Sequence, residues 1–323
     1  MLHCSTAEEI LPFFLRKPQG FSHCGFSPFL LCLKQFPQAR SLQKGASYGP
    51  QTHHPVVPLA VRKRQRRLFF YAAMRWDGRR YAACQQGQPL PHFLCEEHSA
   101  LYNPGTGFDM VYQRNKVFNL GLAVATLQGL LIRPGETFSF WQRVRHADRE
   151  TPYKEGLVVV NGQLQTIVGG GVGQISNLLF HLFLRTPLTL VERHCHGAKD
   201  FPDPPGDVLT GVDATVSEGW LDLKVTNETP VTYQLQLDVG QEQITGRILA
   251  DAPPAYRYQL ANRGLAYIRR GDTVWEEVDV LQQAYSTASG QLACTRFLYH
   301  NACPVGYTLP PETPIIDEKE RPS

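Results

Sequence analysis

No two cysteines in this chain are spaced as C-x-x-C. The eight that occur (Cys4, Cys24, Cys32, Cys84, Cys95, Cys195, Cys294 and Cys303) fall at irregular intervals. That spacing excludes a zinc ribbon and a compact disulfide scaffold and favours mostly unpaired thiols in a reducing compartment, with Cys294 and Cys303 close enough in sequence to bridge. Long hydrophobic runs are missing too: the longest early one, Phe26 to Leu33, is interrupted by Pro28 and falls far short of the ~20 residues of a membrane-spanning helix. Charged Glu8, Glu9, Arg16 and Lys17 precede it and no small-residue cleavage site follows, a poor match to a signal peptide. The expected location is therefore the cytoplasm or the inner face of the membrane. A formal net charge of +3 is too small to argue for nucleic acid, and 42% hydrophobic with 19% charged residues is ordinary globular composition. There is no internal repeat, P-loop, dinucleotide fingerprint or metalloprotease helix. No cofactor is implied.

What is present centres on Gly169-Gly170-Gly171-Val172-Gly173-Gln174-Ile175-Ser176. The triple glycine lacks the Lys-Ser/Thr of a nucleotide loop. Before it, Leu157 to Val160 and Gln163 to Val168 read as strands around Asn161-Gly162, the dipeptide that best favours a tight hairpin. After it, Ile175, Leu178, Leu179 and Leu182 recur with the spacing of one buried helical face, predicting a helix from Gln174 to Arg185. A strand, a glycine elbow and a helix N-terminus thus converge, gathering backbone N–H groups and partial positive charge at one point.

The fold class expected is α+β, a mostly antiparallel sheet with a few packed helices. Residues 1–60, poor in periodicity over Lys34 to Pro58, read as a disordered arm or as read-through from an upstream start codon. Residues 61–115 form a basic and aromatic region: Arg62-Lys63-Arg64-Gln65-Arg66-Arg67 precedes Leu68-Phe69-Phe70-Tyr71. The run reads first as the solvated start of a helix carrying Phe70 and Met74 into the core, and second as a contact with an anionic membrane surface. Residues 116–250 read as the core domain. There, Asn119 to Ile132 has helical spacing closed by Arg133-Pro134-Gly135, Glu136 to Trp141 is a short strand or turn, and Leu188 to Val191 is a strand. Beyond the loop at Pro202 to Gly206, alternation around Leu221 to Val225, Val231 to Leu237 and Gln243 to Leu249 predicts an antiparallel meander. Residues 251–323 read as further short strands with a charged, frayed tail from Ile315.

Four segments together resemble the VanW family, and within it the short members encoded with VanB-type vancomycin-resistance genes. They are Tyr102-Asn103-Pro104-Gly105-Thr106-Gly107-Phe108-Asp109-Met110, Arg133-Pro134-Gly135-Glu136-Thr137-Phe138-Ser139-Phe140, the elbow itself, and Gly211-Val212-Asp213-Ala214-Thr215-Val216. The resemblance covers about Arg62 to Pro310. It implies a peptidoglycan link and, in some members, L,D-transpeptidase-like acyl transfer by a cysteine at the elbow, with a histidine base and a carboxylate partner. Those positions correspond here to Gly173, His196 and Asp213, so the nucleophile is replaced by a residue with no side chain. A thiol at a helix N-terminus would be activated, and the same N–H groups would hold an oxyanion; Gln174 is a further candidate donor. Two classes of function follow. One is a non-catalytic accessory of glycopeptide resistance whose groove, from Gly169, Gly170 and Gly171 to Gln174 and Ser176, recognises a stem-peptide carboxylate; the other is a peptidoglycan-modifying enzyme acting through other residues. Cys195, between His194 and His196, would point away from its own base if the segment were a strand. The two histidines lack the third and fourth ligands a metal needs.

Overall fold

The computed structural model describes residues 58–103, 107–160, 163–202 and 209–320. The chain divides into two units, 1–56 and 57–323, and every described residue belongs to the second. The expected N-terminal arm, the Asn161-Gly162 turn, most of the loop at Pro202 to Gly206 and part of the Tyr102 to Met110 segment lie outside the described residues.

The fold is α+β. In chain order the elements are α1 (Leu59–Trp76), β1 (Arg80–Tyr81), β2 (His92–Ala100), α2 (Met110–Leu127), β3 (Leu131–Ile132), β4 (Glu136–Ser139), α3 (Phe140–Val144), β5 (Glu155–Val160), β6 (Gln163–Val168), α4 (Gly173–Leu184) and β7 (Thr189–Glu192). They continue with β8 (Lys224–Thr226), β9 (Tyr233–Val239), β10 (Gln243–Ala250), β11 (Tyr256–Arg270), β12 (Thr273–Ser286), β13 (Leu292–Pro304) and β14 (Ile315–Asp317). Three four-stranded sheets, ordered β1-β4-β8-β7, β2-β10-β9-β3 and β13-β12-β11-β14, are joined by the hairpin β5-β6.

Helix α4 is the apolar pivot. Ile175, Leu179, Phe180 and Leu182 are fully buried, and Phe183 packs against Phe138 of β4 with ring centroids 4.9 Å apart. Its other side rests on β10 where Gly246 leaves room, since a Cβ there would stand 2.6 Å from Leu182. From β12, Gln282 Nε2 donates to the carbonyls of Leu184 and Thr186, at 2.7 and 2.9 Å, and satisfies the helix C-terminus.

Several expectations shift. The helix expected over Asn119 to Ile132 begins at Met110, where the Asp109 carboxylate accepts from Val111 N at 2.8 Å as an N-cap. It ends at Leu127, because Gly129 takes φ +73° and Leu131 and Ile132 pair with β9 as a strand. The meander is divided: β9 and β10 form one antiparallel pair, but β8 pairs with β4 and β7 in another sheet. The tail from Ile315 is not frayed over its described part. It adds to β11 as a parallel strand, and Glu318 accepts from Arg270 Nε at 2.7 Å. Cys294 and Cys303 cannot bridge, being nine residues apart on β13, roughly 30 Å along an extended strand; both are free thiols.

The hairpin β5-β6 is held to the elbow by a close approach of two backbones. A Cβ on Gly170 would stand 2.2 Å from the Gly156 carbonyl oxygen, and one on Gly156 2.5 Å from the Gly170 carbonyl oxygen. Gly170→Ala should therefore destabilise the fold by about 1–3 kcal/mol. Gly121→Ala, inside α2 with nothing within 4 Å of the new methyl, should stabilise it by about 1 kcal/mol. Urea unfolding midpoints of the two variants check both signs.

Candidate functional site

A cleft of about 860 Å³ opens at the elbow, and Gly173, Gln174, Asn177 and His196 all line it. The sequence-predicted base and its partner meet: His196 Nδ1 lies 2.7 Å from Asp213 Oδ2, and the same oxygen accepts from His196 N at 2.9 Å. With Nδ1–H donating to the carboxylate, Nε2 is left as the acceptor. The Asp213 hydrogen bond raises the imidazole pKa against the opposing effect of burial. Burial also opposes ionisation of Asp213, yet the His196 hydrogen bond and the Arg193 guanidinium hold its carboxyl below the usual range.

Asp213 is placed from two sides. Along α4, Ser176 Oγ lies 2.6 Å from the Ala214 carbonyl, Asn177 Oδ1 accepts from Ala214 N at 2.7 Å, and His181 Nε2 lies 2.9 Å from the Val212 carbonyl. From beyond β7, Arg193 donates to the carbonyls of Asp213 and Gly211, at 2.7 and 3.1 Å, and to Asn301 Oδ1 at 2.9 Å, and it pairs with the Asp213 carboxylate. The Arg193 guanidinium lies beside the Phe180–Tyr299 ring pair, with its carbon 5.6 and 4.8 Å from the two centroids.

Two residues expected to bind ligand do other work. Gln174 Nε2 gives its N–H groups to Ser99 Oγ and the Ala100 carbonyl, at 2.8 and 2.7 Å, so it ties α4 to the end of β2 rather than offering a side-chain donor to an oxyanion. Ser176 is fully buried and grips the Asp213 segment. The glycines act through shape: Gly169 and Gly171 take φ +80° and +96°, and a Cβ on Gly171 would overlap the Lys116 side chain. Gly173 is exposed to the cleft, and a Cβ on it would meet nothing within 4 Å.

Residues 193–196 lie outside β7, so the strand argument about Cys195 does not apply. His194 turns to Glu192, 3.0 Å away, and not to the Asp213 carboxylate. Burial would raise Glu192, but His194 and Lys224 hold it down at about 2. The two histidines thus serve different carboxylates, and no group of three or more His, Cys, Asp or Glu suited to a metal occurs among the described residues.

Residues 115–249 match the family described as VanW like protein. Over 262 residues, 81% of this chain and 95% of the relative, the sequence is 50% identical to the vancomycin B-type resistance protein VanW of Enterococcus faecalis. The chain belongs to the VanW family. A second relative, the uncharacterized protein YoaR of Bacillus subtilis, is 35% identical over 115 residues, 36% of each chain. No solved structure matches.

The VanW match includes residues whose importance the sequence pattern did not disclose. Asn119, fully buried on α2, donates to the carbonyls of Lys154 and Gly170, at 2.9 and 3.1 Å, and accepts from Lys154 N at 2.8 Å. A polar residue on an otherwise apolar helical face is the signal that could have found it. Lys116, one turn earlier, lines the cleft and has no ion pair among the described residues; burial lowers its pKa. Arg145 and Tyr153 line it too, and Arg145 Nε and the Tyr153 hydroxyl are buried without a hydrogen-bond partner in the protein. Lys116, Arg145 and Tyr153 therefore line one cavity beside a helix N-terminus, together with Arg67 and the carboxylates of Asp148 and Glu218, and the helix end and the cations favour an anion there.

Because Asp213 raises the folded-state pKa of His196, the stabilisation it gives is fully present below the ordinary imidazole value of about 6.5 and is lost as pH rises through the folded value. Asp213→Asn should return the His196 pKa toward about 6.5, followed by imidazole C–H NMR titration. The stability gap between wild type and variant, from urea midpoints at a series of pH values, should narrow as pH rises through that window.

Proposed function

We propose that this VanW-family chain is an accessory of glycopeptide resistance that holds the carboxylate end of a peptidoglycan stem peptide in the elbow cleft without transferring it. The observation that carries the reading is that Lys116, Arg145 and Tyr153 line one cavity, with Lys116 in no ion pair among the described residues and Arg145 Nε and the Tyr153 hydroxyl without a hydrogen-bond partner in the protein. The same cleft is lined by Gly173, the position where acyl transfer by a cysteine would need a thiol and the chain has none. The relative named for vancomycin B-type resistance supports the biological setting. The formed His196–Asp213 pair favours a second reading, an enzyme of peptidoglycan precursors, since a histidine oriented by a carboxylate is the arrangement of a general base. Thr215 and Ser217 are the residues with aliphatic hydroxyls that line the cleft with His196.

Calorimetric titration with a synthetic stem pentapeptide and with its C-terminal amide separates these readings. Binding should be seen for the free acid and weaken on amidation. Lys116→Met should weaken it by roughly tenfold or more, the loss expected for a hydrogen bond to a charged group. The peptide mass should stay unchanged; hydrolysis or transfer by the parent protein would sink the non-catalytic reading.

Gly173→Cys should add a thiol that alkylates faster than an ordinary cysteine and with an acid-shifted pH profile, because it would sit in the first turn of the 12-residue α4. Peptide mapping must localise the label to position 173, since Cys294 is itself exposed. An ordinary alkylation profile there would count against an inactivated thiol site.

A further inference from the structure

We infer that α1 is an amphipathic surface helix that docks the protein on an anionic lipid bilayer; this is independent of what the elbow cleft binds. The helix has two apolar sides. One is used: Met74 is buried, Tyr71 donates to Glu218 at 2.9 Å, and Arg145 and Lys224 sit over the Tyr71 and Phe70 rings at 4.6 and 5.8 Å. The other is not. Val61, Leu68, Phe69 and Trp76 are 44, 64, 72 and 78% exposed, and at helical spacing they fall within one sector roughly 100° wide, which Gln65 and Ala72 complete. A solvated helix face has no need of four large apolar side chains.

Charge identifies the occupant. The helix contains no Asp or Glu, and its apolar sector is flanked by Arg62 and Arg66 on one edge and by Arg64 and Arg75 on the other. Arg66, on one flank of the sector, extends over Trp220, 4.3 Å from the ring centroid, and Trp220 is itself 59% exposed. Past Arg75 a hollow of about 390 Å³ is lined by Arg75, Arg79, Arg80 and Arg145 and by no carboxylate. Apolar side chains inserted at the acyl boundary, tryptophans at the interface and arginines level with anionic headgroups make up the pattern of a helix lying in the membrane plane. Nucleic acid would use the arginines but leave the apolar stripe in water. No helix among the described residues is long and apolar enough to cross a membrane, so the attachment is to the surface.

Co-sedimentation of the full chain with vesicles tests this. The protein should pellet with equal parts phosphatidylcholine and phosphatidylglycerol and remain in solution with phosphatidylcholine alone. Leu68→Ser/Phe69→Ser/Trp76→Ser should reduce partitioning by roughly tenfold or more, and Arg62→Gln/Arg64→Gln/Arg66→Gln should do the same with a flattened salt dependence. Acyl-chain brominated lipid should quench fluorescence in the wild type, and the quenching should fall in Trp76→Phe, a readout that does not depend on how the multiple variants fold. Failure to bind anionic vesicles, equal binding to neutral ones, undiminished binding by the apolar triple variant, or absence of Trp76-dependent quenching each overturns the proposal. So does a duplex DNA that displaces the vesicles and binds the apolar variant as well as the wild type.

Discussion

The site depends on how one edge of α4 grips the backbone from Val212 to Ala214. Ser176, Asn177 and His181 each hold a backbone group of that segment, while the opposite side of the helix is buried in the core. Each buried polar contact would cost about 1–3 kcal/mol if left unsatisfied, so the segment cannot slide along the helix without breaking several at once. Asp213 lies in the middle of it. The carboxylate therefore inherits its position from the same helix whose first residue is Gly173, and His196 inherits its own from Asp213. Arg193 closes the arrangement from outside, neutralising the carboxylate that the imidazole must share. A lone buried carboxylate would tend to protonate; with a guanidinium on one oxygen and an imidazole on the other it stays ionised.

Where patterns are local, the sequence disclosed them. The two strands of the hairpin, the apolar face of α4 and the pairing of His196 with Asp213 all follow from periodicity or from a resemblance tied to named residues. What stayed hidden depends on contacts distant in sequence. Leu131 and Ile132 carry on the helical spacing of α2, and only pairing with Gln234 and Tyr233 of β9 makes them a strand. Lys224, Val225 and Thr226 look continuous with the meander until Thr137 and Thr189 claim Thr226 from either side. The glycines of the elbow read as an anion-binding turn. Gly170 is instead required by the Gly156 carbonyl, and Gly171 by the Lys116 stem. Gln174 and Ser176 show the same limit: their chemistry suits a ligand, but Ser99, Ala100 and Ala214 reach them first.

That redistribution of roles changes where a ligand would be held. The elbow supplies the geometry, while the donor side chains that line the cleft lie on α2, on the chain after α3 and on the approach to β5, at Lys116, Arg145 and Tyr153. Asn119 connects these parts. Its side chain holds the Lys154 backbone, next to Tyr153, and the Gly170 carbonyl together, so the approach to β5 is tied to the turn through α2. A weakly solvated lysine, with its charge already disfavoured by burial, gains more from an arriving carboxylate than an exposed lysine would, because the interaction is less screened. On the proposed reading, preference for an anion would follow from this without any side chain at position 173.

Glu218 connects the cleft to α1. It accepts from Tyr71 and pairs with Arg67 at 2.8 Å, and both Glu218 and Arg67 line the cleft. The helix face that packs against the body therefore forms part of the rim, while the apolar face with Leu68 and Phe69 points to solvent. A helix is about 10–12 Å across with its side chains. A surface against its outer side would thus lie about one helix diameter from the rim. Glu218 thus ties the basic helix to the body through both Tyr71 and Arg67. A stem peptide presented from a lipid surface would then reach Lys116 without crossing bulk solvent, provided that α1 rests on that surface and the cleft accepts a carboxylate.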